Sequence, residues 1–78
     1  MDSRLIERLR KGDMDAFSRL VEKYKNFAYS TAFRVVRNNE EAEEIAQDAF
    51  IKVYRSIGTF TGKSKFSTWL YRIMINTS

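Results

Sequence analysis

The stretch Asn39-Glu40-Glu41-Ala42-Glu43-Glu44-Ile45-Ala46-Gln47-Asp48-Ala49-Phe50-Ile51-Lys52-Val53-Tyr54-Arg55-Ser56-Ile57-Gly58 decides the fold of this chain. Ala42, Ile45, Ala46, Ala49, Phe50, Val53 and Ile57 recur at steps of three and four, which predicts a helix over 40–57 with one bundle-type apolar stripe. Gly58 closes it, and the alanines let a neighbouring helix approach closely. A second stripe lies on the opposite side: Glu44, Gln47, Asp48, Ile51 and Arg55 follow the same helical spacing. A helix that needs only solubility has no use for an isoleucine amid acids, so this stripe reads as an interaction surface. A single exposed isoleucine is nonetheless ordinary.

Upstream, Leu5, Ile6 and Leu9 mark a short helix that stops at Gly12. Asp13 then offers an N-cap to a second helix with Phe17, Leu20, Val21, Tyr24, Ala28, Ala32 and Val35 on one face. Phe27, Phe33 and Val36 widen that face, which predicts a central helix contacted from several sides. Asn38 ends it and, with Glu41 three residues on, resembles a capping box. Downstream, residues 58–66 contain two glycines, two threonines and a serine, and lose the helical pattern. They predict a loop, after which Ser64 or Ser67 caps a last helix with Leu70, Ile73, Met74 and Thr77 inward. The expected fold class is all-α: a compact bundle of three main helices plus a short N-terminal one.

Composition narrows the function. The chain has 78 residues, 44% of them hydrophobic, with no cysteine, histidine or proline. One small domain is expected, without disulfides, thiolate sites or the usual imidazole ligand. Asp2, Asp13 and Asp15 lack the glycine and terminal glutamate of a calcium loop, and Gly58 and Gly62 lack the ending of a phosphate loop. No nucleophile–base pair is visible. Neither an enzyme nor a metal or cofactor is expected. Apolar runs never exceed three residues, so neither a membrane span nor a preceding signal peptide is expected. The expected setting is soluble and intracellular.

Charge is segregated along the chain. Residues 39–50 carry five acids and no base, whereas 51–78 carry five bases and no acid. Two oppositely charged surfaces suggest two partners, although solvated bundle faces would carry charge too. In the basic part, Phe60, Lys63, Ser64, Lys65, Phe66, Ser67 and Thr68 interleave rings, cations and hydroxyls. That is the chemistry that binds single-stranded nucleic acid: rings stack on bases, cations neutralise phosphates and hydroxyls bond to edges. Trp69, Arg72 and Asn76 follow on one helical face, where Asn can read a base edge. The competing reading places Phe60, Phe66 and Trp69 in the core, as plugs closing the bundle.

Gly12-Asp13 with Ala16-Phe17, the run Glu40 to Lys52, and Phe66-Ser67-Thr68-Trp69-Leu70-Tyr71-Arg72-Ile73 together resemble region 2 of bacterial RNA polymerase sigma factors. The likeness is greatest to the extracytoplasmic-function subgroup and covers essentially the whole chain, 1–78, as one domain. It implies a transcription initiation module with two faces. The helix over 40–57 would dock on a coiled coil of the largest catalytic subunit of core polymerase. Glu44, Gln47 and Asp48 would make the main polar contacts, with Ile51 and Arg55 on the same stripe. Residues 58–76 would melt and recognise the promoter minus-ten element, flipping a non-template base into a pocket of the loop. Asp48 stands where glutamate is more usual, and Met74 where small residues are commoner. An anti-sigma factor is a further partner the resemblance admits, and the cytoplasm is the implied location. The family continues beyond Asn76 into a linker and a helix-turn-helix domain, so a longer parent protein is expected. The reading from another class is a helical protein-interaction module whose basic end binds an acidic partner.

Overall fold

A computed structural model of the chain describes residues 2–77. Helix α1 spans Asp2–Arg10, α2 Met14–Val36, α3 Asn39–Ser56 and α4 Phe66–Thr77, with a single 3₁₀ turn at Ile57–Thr59. The sequence expectation of three main helices plus a short first one therefore stands. The bundle measures 35 × 23 × 20 Å.

Local chemistry sets the corners. Gly12, at φ +88°, reverses the chain after α1, and its N–H donates to Leu9 O at 2.8 Å. Asp13 then caps α2, its Oδ1 accepting from the N–H groups of Asp15 (3.0 Å) and Ala16 (3.3 Å). The other carboxylate oxygen accepts from Arg8 Nε at 2.8 Å, tying α1 to the start of α2. Arg8 also reaches Asp15 at 3.2 Å, and Arg19 reaches the same carboxylate at 2.9 Å. The hydrogen bond from Arg8 chiefly holds the Asp13 carboxyl below the usual carboxylate range, and that from Arg19 does the same for Asp15. At the next corner Arg37 adopts the left-handed region, φ 54°, and Asn38 Oδ1 accepts from Glu41 N–H at 3.0 Å. Asn38 thus fills the capping role its sequence context predicts.

The core is assembled from α2 and α3, which share the most extensive contact, with α1 packed on α2 and α4 on both α3 and α2. Ala16, Ala28, Ala42, Ala49, Val53 and Leu70 are fully enclosed. The α3 stripe is buried as read, apart from Ile45, which is half-buried. Two α2 residues depart from expectation. Val35 is 58% exposed and Phe27 39%. Val35 stands in the last turn of α2 beside Met74 and Ile75 near the end of α4, where few neighbours remain to cover it. Phe27 lies on the flank of the arc, which is wider than the surface that the other helices can cover. On α4, Leu70 and Met74 are buried and Ile73 half-buried, whereas the Thr77 side chain lies outside the described residues. Among the described residues no helix is long and apolar enough to cross a membrane.

Candidate nucleic-acid interface

The loop between the 3₁₀ turn and α4 is held from beneath. Phe60 and Phe66 are buried, 6% and 3% exposed. Their rings meet edge-on at 6.1 Å, Trp69 packs on both at 4.9 and 5.9 Å, and Tyr24 of α2 closes on Phe66 at 5.0 Å. Two of the three rings read as base-stacking platforms therefore face inward, and only Trp69, half-buried, keeps an exposed part. The physical reason is the polarity of everything between them. Residues 61–65 have no apolar side chain, so the apolar anchors of the loop are its two end phenylalanines. Burying each contributes roughly 1.5–3 kcal/mol. Gly62, at φ +80°, makes the turn between these anchors.

What the loop presents to solvent is cationic and polar. Lys63, Lys65, Thr68, Arg72 and Asn76 are exposed, and Ser64 and Ser67 are half-buried. Helix α4 starts at Phe66, with Trp69 N–H donating to Lys65 O at 3.1 Å. The residue preceding the helix is thus Lys65, and neither serine occupies the capping position suggested by the sequence.

A cavity of about 440 Å³ opens between this loop and α1. Ser3, Glu7 and Arg10 wall one side, Gly62, Ser64 and Lys65 the other, with Tyr24 and Phe66 below. Arg10 Nη2 donates to the carbonyl oxygen of Phe60, joining residues fifty positions apart. Sequence reasoning missed this wall entirely. Nothing in the spacing of α1 shows which segment its polar side will meet.

The second stripe lies on α3. Glu44, Gln47, Asp48, Ile51 and Arg55 all lie exposed along the outside of α3, Ile51 at 49%. Tyr54, next to them, is 44% exposed while its ring meets Phe17 edge-on at 5.5 Å. A groove of about 380 Å³ runs between α2 and α3 from Val21 and Lys25 to Glu43 and Gln47. At its end Tyr29 Oη donates to Asn39 Oδ1 at 2.5 Å. Acidic and basic surfaces thus sit on different elements of one small bundle.

A four-helix domain with an acidic outer helix and a basic loop over an open cavity belongs to a recognised class. The chain is a member of the Sigma-70 region 2 family, whose model matches residues 20–78. It is 49% identical over 77 residues to the RNA polymerase sigma-H factor of Pseudomonas aeruginosa and 44% identical to the ECF RNA polymerase sigma-E factor of Escherichia coli K12. In both cases the match covers 99% of this chain and 40% of the relative. Identity to the ECF RNA polymerase sigma factor SigW of Bacillus subtilis is 47% over 76 residues, covering 97% and 41%. The chain therefore spans about two-fifths of the length of these curated relatives. The fold also matches an engineered region 2 of sigmaE, solved by NMR in complex with GTAAAA, with TM-score 0.90 and 44% identity over 99% of this chain and 80% of that one. The resemblance read from the motifs, extracytoplasmic-function subgroup included, is borne out.

Proposed function

We propose that this chain docks on core RNA polymerase through the outer face of α3 and holds the promoter minus-ten element as single strand across the loop and α4. The observation that carries the reading is the cavity lined by Lys65, Ser64 and Ser67 of the loop and the start of α4, with Lys63 exposed on the same loop. It is open, lined by polar side chains over aromatic ones, and wide enough for an unpaired base. The solved sigmaE region 2 complex with GTAAAA supports it. Lys63, Lys65 and Arg72 neutralise phosphates, Ser64, Ser67 and Thr68 bond to the base or to phosphate oxygens, and Trp69 and Asn76 contact neighbouring bases from α4. Phe60 and Phe66 act from below, by keeping the loop in shape. Unpairing a base costs a few kcal/mol, which these contacts offset.

On the other face, Glu44, Gln47, Asp48 and Arg55 surround Ile51 as a polar rim around an apolar centre. The partner there is the coiled coil of the largest catalytic subunit, and an anti-sigma factor is a further partner of the domain. The role is non-catalytic, all of 1–78 acts as one region 2 domain, and the site of action is the cytoplasm, with the polymerase.

The burial of Phe60 and Phe66 favours one other reading, a basic surface that binds an acidic protein segment. Fluorescence anisotropy separates the two. Labelled single-stranded GTAAAA and its single-base variants are titrated at one salt concentration, with poly-glutamate as competitor. Sequence-dependent affinity that poly-glutamate reverses only weakly is expected. Equal affinity for every oligonucleotide, with ready displacement by poly-glutamate, would overturn the nucleic-acid assignment.

A further inference from the structure

Helix α1 precedes the stretch matched by the family model, yet Ser3, Glu7 and Arg10 form one wall of the cavity beneath the loop. Its inner side is locked into the core by Ile6 and Leu9, 6% and 2% exposed. The wall is therefore rigid. Phe60, whose ring is clamped by Phe66 and Trp69, offers its carbonyl to Arg10 at the point where the loop departs. A guanidinium donates and the carbonyl accepts, so this bond ties the loop to α1. Glu7 Oε2 stands 3.7 Å from Arg10 Nη1, which keeps the carboxylate on the same wall.

Among the described residues lining the cavity, Glu7 is the sole acid. The hydroxyls there donate or accept, and the cations donate. A carboxylate accepts only. It repels a phosphate, so what faces it is a base edge. Adenine, cytosine and guanine each carry an exocyclic amino group that a carboxylate can accept from, whereas thymine offers two carbonyl oxygens around one N–H.

We propose that α1 is the selective wall of this cavity: Arg10 positions the loop through the Phe60 carbonyl, and Glu7 favours a base bearing an exocyclic amino group over thymine. The inference rests on the reading that the cavity receives an unpaired base. It adds to that reading which residues choose the base and on what chemical feature.

The test uses the whole chain and labelled GTAAAA, with each of the four bases placed in turn at every position, at fixed salt. At one position the parent should bind amino-bearing bases about tenfold tighter than thymine. Glu7→Gln keeps the shape but can donate to a carbonyl, and should abolish the penalty on thymine there while leaving preferences elsewhere unchanged. Glu7 is 62% exposed, so this variant should melt like the parent. Arg10→Gln should blur discrimination among all bases at that position without altering the salt dependence. Unchanged preference ratios in Glu7→Gln, or equal weakening for every oligonucleotide, would overturn the role of Glu7. A salt slope lowered by about 0.7 in Arg10→Gln would make Arg10 a phosphate contact and not a positioning residue. A parent with no base preference at any position would sink the base-cavity reading itself, and this inference with it.

Discussion

Replacing Phe66 by leucine asks whether its ring supports the loop or stacks on DNA. The ring is 3% exposed and meets Tyr24, Phe60 and Trp69 at centroid distances of 5.0, 6.1 and 5.9 Å. Leucine retains most of the buried apolar volume, so the transfer loss is small. What disappears is the set of ring contacts, each pair adding about 0.5–1.5 kcal/mol beyond area. Partial repacking by the flexible side chain recovers part of that, and roughly 1–2 kcal/mol is the expected destabilisation. For a domain of this size that corresponds to a fall in Tm of about 4–16 °C. Thermal melts followed by circular dichroism give the first number. Anisotropy with GTAAAA, well below the melting range, gives the second, and the folded variant should bind within about twofold of the parent. A stacked base would lose about 1–3 kcal/mol of binding on removal of its ring. If Phe66→Leu melts as the parent does but binds tenfold more weakly, the ring faces the DNA and the inward packing is wrong.

The other consequences involve the surface. Asp48→Lys on the outside of α3 should abolish co-purification with core polymerase and leave melting within about 0.5 kcal/mol of the parent; retained docking would move the polymerase face elsewhere. Replacing Lys63, Lys65 and Arg72 together by alanine should weaken binding to all single-stranded sequences alike and flatten the salt slope by about 2, whereas Asn76→Ala should relax preference at a single position and keep the slope. Stability should fall on acidification. Asp13 and Asp15 are held below the usual carboxylate range in the folded state, chiefly by the hydrogen bonds from Arg8 and Arg19 respectively. Their contribution is therefore complete above about pH 4 and lost as pH drops through the lowered folded values. Asp13→Asn preserves the cap acceptor without the charge, and its melting temperature should vary less with pH across that interval than the parent's.

Much of the architecture was legible in local chemistry. Asp13 and Asn38 cap the helices their positions predict, Gly12 makes the first corner, and the Ala42-to-Ile57 stripe is the centre of the core. These are short-range properties: a capping oxygen meets an N–H two or three residues away, and helical periodicity is read within a few turns. The outward stripe of Glu44, Gln47, Asp48, Ile51 and Arg55 follows from the same periodicity once the inner stripe is known. The loop is another matter. Aromatic residues among lysines and serines fit either a stacking surface or a plug, and composition does not choose between them. That choice depended on Tyr24, on α2, and on Trp69, one turn into α4, being where the rings of Phe60 and Phe66 could bury themselves. The exposure of Val35, likewise, depended on how far the partner helices reach along α2. The cavity depended on α1 crossing beside residues fifty places later, where Arg10 meets the Phe60 carbonyl. Local propensity is written in neighbouring residues, but a surface shared by two distant segments exists only after the core has packed, because the packing sets which polar side chains face each other.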